Sequence, residues 1–220
     1  MDRIAEPELM DGEAQAQAYA AADFVEPHER FVSLLREVLP DLPPRGLALD
    51  LGCGPADVTL RFARAFPGWS ADGIDGSAAM LNLGRTAVEA GGLAGRVSLH
   101  QGYLPDAQPP RAAYDLVLSN SLLHHLRDPL VLWRCVGRFA PRGAAIFVVD
   151  LLRPESPAAA QALVDRYAVG EPEVLRRDFY NSLLAAYRED EVADQLATAA
   201  LPHLTVARAS DRHLAVYGRR

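Results

Sequence analysis

Leu47-Ala-Leu-Asp-Leu-Gly-Cys-Gly-Pro-Ala56 is the most informative stretch of the chain. Its first half is a short apolar run broken only by Asp50, a pattern typical of a strand buried on both faces of a parallel sheet. Gly52 and Gly54 end the run, and from Asp57 onwards apolar residues recur at three- and four-residue steps, as in a helix. The stretch predicts a strand, a glycine turn and a helix. Such a turn lies at the carboxyl end of a central strand, where open α/β sheets bind their ligands.

The glycine spacing and two acids indicate what kind of ligand this turn suits. A dinucleotide-binding fingerprint needs glycine at the first, third and sixth positions of the turn. The first two are Gly52 and Gly54, but the sixth is Asp57. An acid at a helix start opposes a bound pyrophosphate, and Asp50 adds a second negative group at the end of the strand. The turn therefore favours a ligand with cationic groups and no phosphate. S-adenosylmethionine (SAM), which carries a sulfonium and an ammonium, fits that description.

Asp50-Leu-Gly-Cys-Gly-Pro55 resembles the first signature of the class I SAM-dependent methyltransferases. Residues 69–74 predict a second strand. The Asp75 that follows lies about 20 residues past the glycines, where a ribose-binding carboxylate belongs. Residues 77–81, Ser-Ala-Ala-Met-Leu, are similar to the sequence of many small-molecule members of the family. The resemblance covers residues 46–152 well and the remainder loosely.

The resemblance implies an α/β fold, with a Rossmann-like, seven-stranded and mostly parallel sheet, helices on both faces and an antiparallel last strand. Residues 114–120 are similar to its fourth strand and residues 143–150 to its fifth. We expect a single SAM-binding methyltransferase domain over residues 1–220. N-terminal helices within residues 1–45 would cap the site. Extra helices within residues 151–200, between strands five and six, would form an insertion over the substrate pocket.

A set of cofactor-binding residues is implied by the same resemblance. They are Tyr19, Asp50, Gly52, Gly54, Asp75, Gly76, Met80, Gly102, Tyr103 and Asn120. Gly54 would let the backbone approach the amino-acid end of SAM closely, and Asp75 would bind the ribose hydroxyls. Tyr19 lies in an alanine-rich segment, 14–22, that is predicted to be helical. It would either cover SAM or pack against the sheet.

The adenine contact departs from the family pattern. Many relatives place an acid directly after the glycine that follows the third strand, where it accepts a hydrogen bond from the adenine amino group. This chain has Tyr103 after Gly102, and Asp106 follows three residues later. Either Asp106 reaches back to the amino group, or Tyr103 covers the face of the base and backbone groups read its edge.

His124 and His125 follow the fourth strand, at the mouth of the predicted site. A histidine can act as a general base near neutral pH, so each is a candidate catalytic residue. The alternative is that the pair orders the turn by hydrogen bonds. We expect no metal site, because two adjacent histidines without a carboxylate or cysteine at ligand spacing are a weak pattern.

Arg153 and Arg212 are candidate substrate-binding residues. Arg153 leaves the fifth strand, and Arg212 lies in the turn 210–213 between the predicted sixth and seventh strands. Both would emerge on the cofactor side of the sheet, where two guanidinium groups would suit an anionic substrate. The alternative for Arg212 is a surface ion pair with Asp211, which would contribute little to stability.

Composition narrows the functional class. The chain has 220 residues, 22 basic side chains and a net charge of −7, and it contains no lysine, which excludes Schiff-base chemistry on a lysine. An acidic chain with scattered arginines makes nucleic acid an unlikely partner. The two cysteines are expected to be reduced. No signal peptide and no membrane span are predicted, which favours a cytoplasmic protein. The sequence leaves the oligomeric state open.

The predicted function is SAM-dependent methylation of a small molecule, by in-line displacement that releases S-adenosylhomocysteine (SAH). Residues 120–123, Asn-Ser-Leu-Leu, differ from the Asn/Asp-Pro-Pro-aromatic run of enzymes that methylate base amino groups, so such groups are not the expected substrate. Two alternatives stay open. One is another SAM-based reaction, such as carboxyl transfer or cyclisation. The other is a non-catalytic SAM-binding or scaffold protein.

Overall fold

The computed structural model describes residues 1–6, Gln17, Tyr19 and 25–220. Within them lies one seven-stranded sheet. In chain order its strands are β1 (Gly46–Leu51), β2 (Trp69–Asp75), β3 (Val97–Gln101), β4 (Leu116–Asn120), β5 (Ala145–Leu151), β6 (Thr205–Arg208) and β7 (His213–Arg219). The sheet order is β3-β2-β1-β4-β5-β7-β6. The strands β1 to β5 pair in parallel, and β7 runs antiparallel to both of its neighbours. The predicted fold class is confirmed.

The strand order places a crevice beside the glycine turn. The chain moves outward from β1 through β2 to β3 and then returns to the other side of β1 with β4, where Asp50 is in register with Leu118. Ligands of open α/β sheets bind outside the carboxyl ends of the strands at such a reversal.

Helices cover both faces of this sheet. They are α1 (Val25–Val38), α2 (Asp57–Ala65), α3 (Ala78–Ala90), α4 (Leu130–Phe139), α5 (Pro157–Tyr167), α6 (Glu173–Ala185) and α7 (Glu189–Thr198), with a short 3₁₀ turn at Leu123–His125. The Ser77 hydroxyl begins α3 by accepting a hydrogen bond from Met80 N, and Ser156 begins α5 in the same way. The predicted helix at 14–22 lies outside the described residues, except for Gln17 and Tyr19, which are helical.

The central strands are apolar without alternation because both of their faces are buried. Leu49, on β1, packs in a cluster with Trp133 of α4. Its neighbour Ala48 belongs to the cluster on the opposite face, together with Phe31 of α1 and Phe62 of α2. Two helical layers thus fix the sheet between them, which holds the carboxyl ends of its strands in place.

The helices α5, α6 and α7 lie between β5 and β6, where extra helices were expected. The Tyr187 hydroxyl, just after α6, donates a hydrogen bond to the Leu126 carbonyl at 3.1 Å. The N-terminal segment 1–6 is attached to the same region, since Ile4 N donates to Leu184 O at 3.0 Å and the Arg3 guanidinium donates to the Ala185 carbonyl. No helix among the described residues is both long enough and apolar enough to cross a membrane.

Candidate active site

A cavity of about 630 Å³ opens at the carboxyl ends of β1, β2 and β4. This volume lies in the range of small-molecule sites, about 300–1,000 Å³. Every residue predicted to bind the cofactor contributes to its wall: Tyr19, Asp50, Gly52, Gly54, Asp75, Gly76, Met80, Gly102, Tyr103 and Asn120. His124, His125 and Arg212 line it as well. Arg153 and Asp106 are not among its lining residues.

The glycine turn holds its shape through left-handed backbone conformations. Gly52 has φ of +75° and Gly54 has φ of +51°, a region that L-residues with side chains rarely adopt. A Cβ atom added to Gly52 would lie 2.9 Å from Leu122 Cδ1, so close packing also requires glycine there. A Cβ added to Gly54 would meet no protein atom within 4 Å, and Gly54 lines the cavity. Only the empty side of the turn is therefore available to a ligand.

Asp75 closes the turn from the neighbouring strand. One carboxylate oxygen accepts a hydrogen bond from Gly54 N at 2.8 Å, and the other accepts one from Ser77 N at 2.8 Å. The side chain also lines the cavity. The residue predicted to bind ribose thus also fixes the glycine turn.

Asp50 is a buried acid in the cavity wall. Its Oδ2 atom accepts a hydrogen bond from the Thr59 hydroxyl at 2.5 Å, and the residue is only 1% exposed. Burial raises the pKa of Asp50 to about 7, the Thr59 hydrogen bond opposes this rise, and the charge of Asp75 adds to it. Without a cation beside it, Asp50 is therefore partly protonated at neutral pH.

The other predicted cofactor residues differ in how firmly they are held. Met80 is 4% exposed and packs in the wall, whereas Tyr103 is 55% exposed. The Asn120 amide donates to the Ser121 hydroxyl at 3.2 Å. Burial, and after it the charges of Asp57, Asp75 and Asp150, raise the pKa of Tyr19 to about 12, so its phenol stays protonated at neutral pH.

The histidine pair lines the cavity and is anchored by a buried acid. His124 Nδ1 lies 2.6 Å from Asp150 Oδ1, and Asp150 also accepts hydrogen bonds from Leu123 N and Leu151 N. Burial lowers the pKa of the His124 imidazole, but Asp150 and then Glu6 raise it more, so it lies above its usual value. Burial raises the pKa of Asp150, but the charge and hydrogen bond of His124 lower it by more, so the pKa lies below its usual value. Nδ1 therefore donates to an ionised carboxylate, which leaves Nε2 on the other edge of the ring.

Glu6 brings a second carboxylate to the histidines. Its Oε1 atom lies 3.5 Å from His124 Nε2 and 3.1 Å from His125 Nδ1. The Ser182 hydroxyl, on α6, donates to the same carboxylate at 3.0 Å. Burial raises the pKa of Glu6 above its usual value, although His124 and Ser182 act in the opposite direction. The segment that carries Glu6 is held by Arg3, which donates to the carbonyl oxygens of His124 and Leu126.

The two predicted substrate arginines do not meet. Arg212 lies at the cavity rim, in the turn between β6 and β7, with its guanidinium 3.5 Å above the centroid of the Tyr167 ring. It also lies 3.5 Å from a carboxylate oxygen of Glu26. Arg153 instead donates to Glu191 at 2.6 Å and to the Ala186 carbonyl at 3.1 Å. Its guanidinium therefore connects β5 to the helices that follow.

Several site residues were missed by the sequence patterns. Glu6 is one of them: it contacts both histidines, although it is not among the cavity-lining residues. His28, which lies 2.6 Å from Asp57, and His213, which lies 3.0 Å from the Ser210 hydroxyl, line the cavity. An apolar wall is formed by Phe31, Leu34, Leu175 and Phe179. No local motif marks these positions, because they reach the cavity only through the packing of helices and loops that are distant in sequence.

Comparison with known proteins identifies the domain. A family model described as a methyltransferase domain matches residues 48–143. The fold is similar to that of the plantazolicin methyltransferase BpumL in complex with a monoazolic desmethylPZN analog and SAH. The TM-score is 0.71 at 14% identity, over 94% of this chain and 91% of that chain. The family match covers residues 48–143 and agrees with the predicted resemblance to the class I SAM-dependent methyltransferases.

Two relatives of this chain have different acceptors in their names. Ajmaline N-methyltransferase from Rauvolfia serpentina is 30% identical over 138 residues, which cover 63% of this chain and 45% of the relative. Trans-aconitate 2-methyltransferase from Methylobacterium radiotolerans is 34% identical over 139 residues, which cover 60% of this chain and 50% of the relative. The chain spans about half the length of the curated relatives it matches.

The family match divides the candidate site into two parts. Residues 48–143 contain the glycine turn, Asp75 and the histidine pair. Glu6, Asp150 and Arg212 lie outside the matched range. The part that the family shares is therefore centred on the turn, whereas Arg212 at the rim and the two carboxylates that contact the histidines come from residues beyond it.

Proposed function

We propose that this methyltransferase transfers the methyl group of SAM to a small molecule bound in the same cavity. The observation that carries the proposal is the placement of two carboxylates, Asp50 and Asp75, on either side of a glycine turn that leaves open space beside Gly54. Acids beside an open turn suit the ammonium, sulfonium and ribose hydroxyls of SAM. We call Asp50, Gly52, Gly54 and Asp75 the cofactor end of the cavity.

Each part of SAM has a proposed partner at the cofactor end. The ammonium group lies near Asp50, whose carboxylate then ionises, and the backbone at Gly54 borders the amino-acid portion. The ribose hydroxyls donate to Asp75. Tyr103, exposed and next to Gly102, covers the adenine, a role favoured over Asp106 because Asp106 is not in the wall. Tyr19 covers the cofactor from the side opposite the sheet.

The acceptor occupies the space between the cofactor and the helices α1 and α6. Phe31 and Phe179 supply apolar surface there, and Arg212 lies at the rim. Such a mixture suits a small organic molecule with an apolar body and one polar or anionic group. The relatives named for ajmaline and trans-aconitate show no common acceptor, so the acceptor class has to come from the cavity itself. We call Glu6, His124, His125 and Asp150 the acceptor end.

The proposed chemistry is a direct displacement at the methyl carbon. The acceptor atom forms a bond to carbon as the carbon–sulfur bond breaks, and the bonding pair goes to sulfur, which leaves as the neutral thioether of SAH. The protein has to align the three atoms and exclude water. The acceptor end is where an acceptor proton can be removed, because an imidazole there can accept it.

Calorimetric titration of the purified chain with SAH tests the cofactor assignment. The proposal expects saturable binding at a ratio of one to one. No binding at about 1 mM, the upper end of ordinary KM values, would refute it. Incubation with SAM and a small-molecule panel, followed by mass spectrometry, then separates methyl transfer from the other SAM-based reactions. A chain that binds SAH but methylates nothing across a broad panel would favour a binding protein.

A further inference from the structure

Three potential metal ligands converge at the acceptor end. His124 Nε2, His125 Nδ1 and Glu6 Oε1 all lie within 4.8 Å of one another. Within residues 1–6, Gln17, Tyr19 and 25–220, no other group of three histidine, cysteine or acidic side chains converges in this way. We infer that Glu6, His124 and His125 form a binding site for a divalent transition-metal ion. The sequence predicted no metal site, because it showed two adjacent histidines without a carboxylate at ligand spacing.

The two distances from the Glu6 oxygen to the histidine nitrogens agree with binding to one ion. Zinc binds imidazole nitrogen and carboxylate oxygen at about 2.0–2.2 Å, so two ligands of one tetrahedral ion lie about 3.3–3.5 Å apart. The Glu6 oxygen lies 3.5 Å from His124 Nε2 and 3.1 Å from His125 Nδ1. A shift of a few tenths of an ångström would therefore bring both pairs to coordination geometry.

The groups behind the ligands orient them in the way metal sites require. Metal-binding histidines commonly donate their second ring N–H to a carboxylate, which fixes the tautomer. His124 has this partner in Asp150, at 2.6 Å from Nδ1. Asp150 is itself fixed by the backbone N–H groups of Leu123 and Leu151. On the third ligand, Ser182 donates a hydrogen bond to the Glu6 carboxylate. Nε2 of His124 is thus available to an ion.

The ligand types and the open side indicate the class of ion and its use. Two imidazoles and one carboxylate suit zinc, iron, cobalt, nickel or manganese rather than calcium or magnesium, which prefer oxygen ligands. Three protein ligands with a free position are typical of a catalytic rather than a structural site. Both histidines line the cavity, so the free position would be open to the acceptor.

The metal site also indicates the chemical class of the acceptor, an inference that rests on the proposed methyl transfer. An acceptor that places a hydroxyl or carboxyl oxygen at the free position would ionise more readily, because a bound cation lowers the pKa of a coordinated hydroxyl. The hydroxyl proton passes to solvent, and the oxygen then attacks the methyl carbon of SAM. We therefore expect an oxygen acceptor, with a second oxygen nearby improving its binding to the ion.

Titration with metal alone tests the site and does not depend on SAM binding. The full chain, stripped of metal with a chelator, is titrated with Co²⁺ and Zn²⁺ by calorimetry, and the visible spectrum of bound Co²⁺ is recorded. We expect one ion per chain. Because Cys53 and Cys135 are the alternative soft ligands, the Co²⁺ spectrum should show no thiolate charge-transfer band.

Matched variants locate the ion. Glu6→Gln and His125→Gln should each weaken Co²⁺ binding at least tenfold. His100→Gln is the control, since His100 lies on β3, 3.8 Å from Asp72, and is not in the cavity wall. It should bind Co²⁺ as the parent does. Neither Glu6 nor His125 lies in a strand of the sheet. Thermal unfolding should therefore show that both variants are folded. Absence of stoichiometric binding in the parent, or unchanged binding in both folded ligand variants, would overturn the inference and leave an ion-free hydrogen-bonded cluster.

Discussion

The two ends of the cavity are built in different ways. The cofactor end comes from one stretch, 50–75, and its glycine turn is fixed through backbone groups: Gly54 N and Ser77 N donate to Asp75. The acceptor end comes from three separate segments, and its contacts are between side chains, as in the pair His124–Asp150. A site made of backbone tolerates exchange of many side chains but no change of conformation. A site made of side chains depends on which residues meet.

The strongest way to break the cofactor end is to replace Gly54 with valine. The added side chain meets no protein atom within 4 Å of its Cβ, so it should occupy the space assigned to SAM. The left-handed φ of +51° adds a cost of roughly 1–2 kcal/mol to folding. We expect SAH binding to be abolished at about 1 mM ligand, as measured by calorimetry.

Gly92→Val is the matched control for this change. Gly92 also has a left-handed φ, +66°, and also has open space around an added Cβ, but it lies after α3 and outside the cavity wall. It should lose similar stability in thermal unfolding and keep its SAH affinity. Equal affinity in the two variants would show that the turn is not where the cofactor binds.

The same contrast explains what could be predicted from sequence. The turn, its flanking strand and helix, and the acid at 75 lie close together in sequence, and glycine spacing reports backbone conformation directly. The strand predicted at residues 69–74 is β2, at Trp69–Asp75. Glu6 could not be predicted, because 118 positions of chain separate it from His124 and only the packing of the N-terminal segment on α6 brings them together.

Arg153 shows a second limit of the pattern. Topology places it correctly after β5, on the side of the sheet where ligands bind. Topology does not determine which partner a long side chain selects, and here Glu191, at the start of α7, receives the guanidinium at 2.6 Å. A carboxylate from an insertion of unknown packing could not be foreseen. Sequence therefore specifies the ends of strands better than the contacts of flexible side chains there.

A weaker perturbation of the cofactor end is Asp75→Ala. Loss of hydrogen bonds between the carboxylate and the ribose hydroxyls should cost about 1.5–3 kcal/mol, or roughly 10- to 150-fold in the Kd for SAH. The change also leaves Gly54 N and Ser77 N without their carboxylate, so it should lower the melting temperature.

Asp72→Ala controls for that loss of stability. Asp72 is a buried acid on the same strand, accepts a hydrogen bond from the Tyr114 hydroxyl at 2.8 Å, and is not in the cavity wall. It should destabilise the fold and leave the Kd for SAH unchanged. If Asp75→Ala binds SAH as tightly as Asp72→Ala does, the ribose assignment is wrong.

The pH dependence of binding tests the charge at the cofactor end. Burial raises the pKa of Asp50 to about 7, so the free protein carries a neutral Asp50 below that pH and an ionised one above it. A cationic ligand binds the ionised form. Affinity for SAH should therefore fall as pH falls through 7, and it should be about tenfold weaker at pH 6 than at pH 8. Asp50→Asn should bind weakly at both values, with a flat profile. If the SAH affinity of the parent does not change with pH, Asp50 does not bind the ammonium group.

The smallest expected effect belongs to Arg212, which lies between the two ends at the rim. Its guanidinium already stacks on Tyr167 and lies beside the Glu26 carboxylate. Because Glu26 partly neutralises its charge, its attraction for a bound anion is reduced. Stacking of this kind contributes about 0.5–2 kcal/mol. We expect Arg212→Gln to weaken the binding of small carboxylates to the SAH complex by less than about tenfold, measured by calorimetry. Arg208→Gln, on the same hairpin, is the control, because Arg208 pairs with Glu189 and lies outside the cavity wall. Equal carboxylate affinities in the two variants would show that Arg212 has only a structural role and that an anionic acceptor binds at the acceptor end without it.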